Sequence, residues 1–265
     1  MYKKNILLIG GGTIGEIFLQ ELLKLTDAKN ITVAQRSVER REYLQNTYHI
    51  IATPLTSELA LNKNIIFLAV KPQDITTVAE TISSNITKQL LCSVMAGIST
   101  SKLAQLFHSN NIVRIMPNTP AKIGLGMSAW TATPTVTEID KQLIKDLLKL
   151  LGQELYVSND DWIDKATAVS GSGPAYVFLF AEQLINAAKQ LGFNEIPAGQ
   201  LVIQTLLGAS TLLAQNKNAV ELRQKVTSKD GTTAAALNSL AQTNLQTIWN
   251  KAVQAAYERA KDLTP

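Results

Sequence analysis

Apolar residues over the first 160 positions come in short dense runs, separated by stretches with a longer, helical period. The runs NILLI (5–9), ITVAQ (31–35), NIIFLAV (64–70), LLCSV (90–94), NIVRI (111–115), MSAWTA (127–132) and ELYV (154–157) predict strands. Several are apolar on both faces, as a strand of a parallel sheet must be when helices cover both sides. Segments 13–25, 38–47, 74–83, 99–108 and 138–151 predict the helices between them, so the chain begins as α/β with right-handed crossovers. After SGSGPAY (170–176) the strand signal ends, and 175–191, 197–215, 218–226 and 232–262 predict helices, the last with a break near Thr243-Asn244. Gly192 suits a helix end and Pro197 a first helical turn. The expected division is an α/β domain over 1–160 and an all-α domain over 161–265.

Helix 175–191 is apolar nearly all round, with Val177, Phe178, Leu179, Phe180, Leu184, Ile185 and Leu191. A helix with so little polar face must be enclosed. The helical part of the chain is too small to do this alone, so a second subunit is expected to cover it.

Composition narrows the partners. Of 265 residues, 46% are hydrophobic and 17% charged, a globular chain rather than a disordered one. The net charge of +4 is scattered, and its densest cluster, RSVERR (36–41), is too short for a nucleic-acid face. Cys92 is the one cysteine, which excludes an internal disulfide and fits a reducing cytoplasm. With only His49 and His108 besides, no metal-ligand cluster is expected. The apolar run near the start is too short for a signal core and passes at once into glycines. AYVFLFAEQLINAAKQLG (175–192) carries Glu182 and Lys189 and falls short of the roughly 20 apolar residues of a membrane span. A cytoplasmic protein with neither nucleic-acid nor membrane partner is the expectation.

The chemistry begins at ILLIGGGTIG. Gly10, Gly12 and Gly15 follow an apolar strand and open a helix, the context in which Gly-x-Gly-x-x-Gly binds a dinucleotide. The first glycine allows the tight turn, the second lets the backbone approach a pyrophosphate, and the third lets helix and strand lie close. Ile9, Thr13 and Ile14 complete the loop around the phosphates, which sit on the helix N-terminus. At the end of the second strand an NAD enzyme usually places Asp or Glu for the ribose hydroxyls. This chain has Gln35, then Arg36 and Ser37, which suit a 2′-phosphate, so NADPH is the expected cofactor. Ser37 also serves as a cap for helix 38–47, and the two roles are compatible. Ala69, Val70, Lys71 and Pro72 end the buried strand of LAVKPQ and are expected to flank the cofactor, Lys71 being equally suited to a solvated strand end. Met95, Ala96 and Gly97 of SVMAGI end the next strand and are expected to bind the cofactor, and RIMPNTPAKIG (114–124) places a rigid polar turn, Asn118-Thr119, after another, either a wall of the nicotinamide pocket or a plain rigid connection.

These segments, with VTSKDGTTAAAL (226–237), resemble the pyrroline-5-carboxylate reductase family in order and from end to end of the chain. The resemblance implies an N-terminal Rossmann-type dinucleotide-binding domain followed by an all-α dimerisation domain. It implies reduction of (S)-1-pyrroline-5-carboxylate to L-proline with NADPH or NADH, by homodimers that often assemble into decamers. It places the substrate carboxylate on Ser228, Gly231 and Thr232, and the ring nitrogen against Thr233, the catalytic candidate. It also places Asp160 near the substrate and Thr56 where the family often has an asparagine on the cofactor ribose. The helix that TTAAAL begins is independently a ready anion site. One departure is Ser228-Lys229-Asp230-Gly231 where the family usually reads Ser-Pro-Gly-Gly, which puts the dihedrals of that turn in question. Two rival readings are a β-hydroxyacid dehydrogenase, for which Lys165 and Lys189 lack the usual glycine-rich context, and an NADP-binding redox sensor without catalysis.

Overall fold

The computed structural model describes residues Lys4–Leu263. Eight strands form one sheet: β1 (Ile6–Ile9), β2 (Ile31–Ala34), β3 (Ile51–Thr53), β4 (Ile65–Leu68), β5 (Leu90–Ser93), β6 (Ile112–Met116), β7 (Gly126–Ala132) and β8 (Gly152–Tyr156). Their order is β3-β2-β1-β4-β5-β6-β7-β8, and the first six are parallel. The order reverses between β1 and β4, the switch point at which such sheets bind ligands.

Two features depart from the pattern-based expectation. β3 is a three-residue edge strand with Ile51 exposed, too short to show a period. β7 runs antiparallel to β6, and β8 parallel to β7, so the sheet is not parallel throughout. Between β6 and β7 lies only the 3₁₀ turn Thr119–Ile123, and a parallel neighbour would need a crossover of a dozen or more residues.

Six helices accompany this sheet: α1 (Thr13–Leu25), α2 (Val38–Tyr48), α3 (Ile75–Ile82), α4 (Thr100–Phe107), α5 (Glu138–Leu151) and α6 (Asp160–Ala166). Alternate strand residues feed two cores. Ile6, Leu8, Ile65 and Phe67 pack with Phe18 and Leu22 of α1 and with Leu147 and Leu151 of α5. Leu7, Ile9, Ile66 and Leu68 pack with Val78 and Ile82 of α3 and with Leu103 and Phe107 of α4. Each such side chain contributes about 1.5–3 kcal/mol on burial. A central strand buried on both faces is why NILLI and NIIFLAV read as unbroken apolar runs.

The chain forms two compact units: residues from Lys4 through Ser172 with those from Ala255 on, and Gly173–Gln254. The first unit includes α6, which bonds through Asp160 and Asp164 to Arg114 of β6 and through Asp161 to Tyr257 of the segment from Ala255 on, and the turn after it, which bonds to Asn118.

The second unit contains α7 (Gly173–Gln190), α8 (Glu195–Asn216), α9 (Ala219–Lys225), α10 (Thr232–Ala241) and the first half of α11 (Leu245–Asp262). Gly192, at φ 100°, ends the first of these, and Asn244, at φ 49°, marks the break before the last. α7 has no buried residue: Val177, Phe178, Leu179 and Phe180 are each more than half exposed. The apolar face that called for a partner is thus open in the single chain. α8, with 22 residues and a mean hydropathy of 1.3 in its most apolar window, is long and apolar enough to cross a membrane. A helix covered by a second subunit has the same length and composition.

Candidate functional site

The glycine turn takes the form that its spacing predicts. Gly10 has φ 101°, and a Cβ there would collide with the main chain of Ala69 at the end of β4. A Cβ on Gly15 would fall on the carbonyl oxygen of Gly10, so only glycine lets α1 lie this close to the turn. Gly12 differs: nothing lies within 4 Å of the place its Cβ would take. It precedes α1 without a side-chain cap, and Glu16 makes the first intrahelical bond, to Gly12 O at 2.8 Å. The N–H groups of Thr13, Ile14 and Gly15 therefore open towards that free space, an arrangement suited to a phosphate.

The space belongs to a cavity of about 630 Å³ at the switch point. Ile9, Gly10, Gly12, Arg36, Ala69, Val70 and Lys71 line it, all of them named from sequence. Arg41, Pro54, Leu55, Asp74 and Thr77 also line it and were not, and so does Gln35, noted from sequence only as standing where an NAD enzyme has a carboxylate. Ser37 and Pro72 adjoin the cavity in sequence but are not on its wall. The Ser37 hydroxyl caps α2, accepting from Arg40 N at 3.1 Å and donating to Glu39 at 2.6 Å. Pro72 opens the 3₁₀ turn Pro72–Asp74, and exposed Thr56 precedes the 3₁₀ turn Ser57–Ala60.

A polar brace fixes the turn from the α2 side, and only its end, Gln35, had drawn attention in the sequence. Gln35 Oε1 accepts from Gly11 N at 3.1 Å, and Arg40 Nε donates to Gly11 O at 2.7 Å. The Arg40 guanidinium also meets Glu16 at 2.5 Å, and Glu16 accepts from Tyr43 at 2.9 Å and Tyr48 at 2.7 Å. Burial pushes the Glu16 carboxyl up, but the bonds from Arg40, Tyr48 and Tyr43 outweigh it and hold it below the usual range. Tyr48 is pushed up to about 12, by burial first and then by its bond to Glu16. Glu16, Arg40 and Tyr48 are ordinary surface types at helical spacing, so only their meeting across two helices reveals the brace.

Met95, Ala96 and Gly97 follow β5 outside this cavity's lining. Met95 is buried, and Gly97, at φ 73°, lies so close to Leu263 that no Cβ would fit. Two other sequence motifs meet directly. Asn118 Nδ2 donates to Ser170 O at 3.0 Å, and Asn118 Oδ1 accepts from Met127 N at 2.9 Å. Asn118 thus joins the proline-rich turn to the Ser-Gly-Ser-Gly segment, whose first two residues end the π turn Thr167–Gly171, closed by Ser172 N to Thr167 O at 2.8 Å. Such turns are rare and concentrate at functional sites.

The Asp160 carboxylate is engaged within the first unit. It accepts from Thr100 N at 3.1 Å, Thr100 Oγ1 at 2.7 Å and Arg114 Nη1 at 2.8 Å. Arg114, only 1% exposed, also bonds Asp164 at 2.5 Å. Asp160 therefore ties β6 to the start of α4 and braces the first unit. Burial raises the Asp164 carboxyl above the usual range, with Arg114 only partly offsetting it.

In the second unit, Ser228–Gly231 is a tight turn closed by Gly231 N to Ser228 O at 3.2 Å. The Ser228 hydroxyl fills the space a Cβ on Gly231 would need. Asp230, at φ 59°, takes the left-handed conformation that glycine adopts freely, at a cost of about 1–2 kcal/mol. Gly231 precedes α10 without a side-chain cap, so the N–H groups of Thr232 and Thr233 begin an open helix start. Thr233 is half-buried there.

A sheet with this switch point, a glycine turn whose middle residue faces free space, an open helix start and a cation-lined cavity define a nicotinamide-dinucleotide oxidoreductase. Residues 5–97 match the family described as "NADP oxidoreductase coenzyme F420-dependent", and residues 160–263 match "Pyrroline-5-carboxylate reductase dimerisation". The chain is 38% identical to the pyrroline-5-carboxylate reductase of Pasteurella multocida over 99% of its own length and 98% of that protein's. Among solved structures it is similar to a pyrroline-5-carboxylate reductase from Coxiella burnetii, with a TM-score of 0.91, 36% identity and 100% of both chains covered. It is also similar to the Plasmodium falciparum pyrroline carboxylate reductase solved with NADP bound, with a TM-score of 0.88, 29% identity and 100% of both chains covered. The chain belongs to the pyrroline-5-carboxylate reductase family.

Proposed function

We infer that this chain reduces (S)-1-pyrroline-5-carboxylate to L-proline, the last step of proline biosynthesis, with NADPH, or NADH, as reductant. The observation that carries the reading is the pairing, in a chain of this family, of two open helix starts suited to anions. One faces the cavity of the first unit, and the other follows the hydroxyl-rich turn of the second.

A reduced nicotinamide, when bound, supplies the hydride that converts the imine carbon to an amine carbon. The chain's own residues bind and orient. Gly12 and the first turn of α1 hold the pyrophosphate, with Ile9, Gly10, Ala69, Val70 and Lys71 around it. Arg36 and Ser37 take the 2′-phosphate, Thr56 the ribose, Met95, Ala96 and Gly97 flank the cofactor, and the turn of Asn118 and Thr119 walls the nicotinamide. Ser228 and the N–H groups of Gly231 and Thr232 hold the substrate carboxylate, and Thr233 hydrogen-bonds the ring nitrogen. A threonine hydroxyl has too high a pKa to act as an efficient general acid near neutrality. The proton therefore arrives with the substrate as its iminium, or through water, and Thr233 steadies it.

Two copies pair through the apolar faces of α7 and α8, dimers assemble further into decamers, and the enzyme works in the cytoplasm apart from membranes and nucleic acid. The family's dimerisation profile over residues 160–263 and the open faces of these helices support the pairing. The test follows NADPH absorbance with pyrroline-5-carboxylate, and separately NADP with 3-hydroxyisobutyrate. Turnover of the first alone is expected. Turnover of the second alone would assign a hydroxyacid dehydrogenase, and dinucleotide binding without either turnover would assign a sensor.

A further inference from the structure

The cavity of the first unit holds one carboxylate among its cations, and its place bears on which dinucleotide the protein prefers. At the carboxyl end of β2, where dinucleotide folds read the adenosine ribose, the expected acceptor is missing. Gln35 stands there, and its side-chain oxygen is turned into the glycine turn, bonded to Gly11 N at 3.1 Å. Arg36 instead reaches to the turn after β4 and pairs with Asp74, Nη2 to Oδ2 at 3.1 Å. Both residues line the cavity. The Arg36 side chain is 85% exposed and Asp74 only 27%, so the carboxylate is the fixed partner and the guanidinium the movable one. Arg41 is no substitute, since its guanidinium is bound to the carbonyls of Gln35 at 2.9 Å and Arg36 at 2.6 Å.

We propose that Asp74 is a specificity-determining residue that competes with the 2′-phosphate of NADPH for Arg36. This rests on the dinucleotide reading above. NADH, with a bare 2′-hydroxyl, leaves the Arg36–Asp74 pair in place. NADPH must draw Arg36 away from Asp74 so that the guanidinium can meet the 2′-phosphate, and Asp74 acts only through Arg36. Asp74 therefore weakens discrimination in favour of NADPH, although Arg36 provides for it.

The test is calorimetric titration of the whole protein with NADPH and with NADH, for the wild type, Asp74→Asn, Arg36→Ala and the double variant. Asp74→Asn is expected to tighten NADPH binding about twofold to fivefold, the range of a half-exposed ion pair. Its NADH affinity is expected to stay within the scatter of the titration, which also shows that the variant is folded. In the Arg36→Ala background the Asp74→Asn gain should disappear. Equal changes for both cofactors, or a gain that persists without Arg36, would overturn the proposal. If the wild type bound neither dinucleotide, the functional reading itself would fail, and this inference with it.

Discussion

The three glycines of the turn have separable roles, which Gly12→Ala and Gly15→Ala distinguish. Gly12 has φ −71° and ψ −168°, extended backbone open to any residue, and an added methyl meets nothing within 4 Å. Alanine is a slightly poorer start to a helix than glycine, but it also restricts the unfolded chain. These effects, each a few tenths to about 1 kcal/mol, oppose each other. The stability of Gly12→Ala should thus stay within about 0.5 kcal/mol of wild type, or roughly 2 °C in Tm for a chain of this size. Its methyl, however, enters the free space that the proposed binding mode gives to the pyrophosphate. Loss of one charge-assisted hydrogen bond, about 1.5–3 kcal/mol, weakens NADPH binding roughly 10-fold to 100-fold. Gly15→Ala behaves differently, because its Cβ lands on the Gly10 carbonyl and α1 must shift. Overpacking of this kind costs about 1–3 kcal/mol, so its Tm should fall by several degrees before any ligand is added. Thermal unfolding of the free proteins, followed by titration with NADPH, gives both readouts. Equal destabilisation of the two variants, or wild-type NADPH affinity in Gly12→Ala, would refute the division of roles.

Three further expectations concern other parts of the molecule. Thr233→Val should lower kcat/KM by roughly 10-fold to 100-fold, the worth of a hydrogen bond to a charged group, and unchanged steady-state kinetics would remove Thr233 from the mechanism. Arg114→Met leaves Asp160 and Asp164 without their shared cation and should cost about 3 kcal/mol or more in urea unfolding. The folded pKa of Asp164 is already raised by burial, so its contribution to stability is fully present below the unfolded value and is lost as pH rises through the folded one. The deficit of Arg114→Met should therefore be smaller at about pH 5 than at about pH 8, and equal deficits would contradict this. Tyr48, at about 12 in the folded protein against 10.0 ordinarily, contributes stability that is full below about 10 and lost as pH rises through about 12. Alkaline unfolding of Tyr48→Phe should lack that component, and a phenolate absorbance titration should lose a late-titrating tyrosine.

Much of this protein is legible in one dimension. The double-faced apolar runs mark β1, β4 and β5 because a strand buried on both sides has no polar position to alternate. The Gly10, Gly12 and Gly15 spacing is legible because strand, turn and helix fix it within six residues, Gly10 through its φ of 101° and Gly15 through its approach to the Gly10 carbonyl. The break between α10 and α11 is announced by Thr243-Asn244, since asparagine tolerates the left-handed backbone found at Asn244. At the turn of Lys229 and Asp230, the substitution pattern raised the question of the dihedrals, and the structure answers it with Asp230 held left-handed.

Other features depend on which distant residues meet, and local pattern does not contain that. β3 became visible only by pairing with β2, and the direction of β7 followed from the short turn before it. Nothing around Asp160 in the sequence announces that buried Arg114, far away in β6, bonds its carboxylate. Arg36 reads as a free phosphate ligand until Asp74, 38 residues on, is found beside it. Period and sterics act over a turn or a strand and so are written along the chain. Charge pairing and the aim of a side chain act through space, and only the folded chain brings their partners within reach.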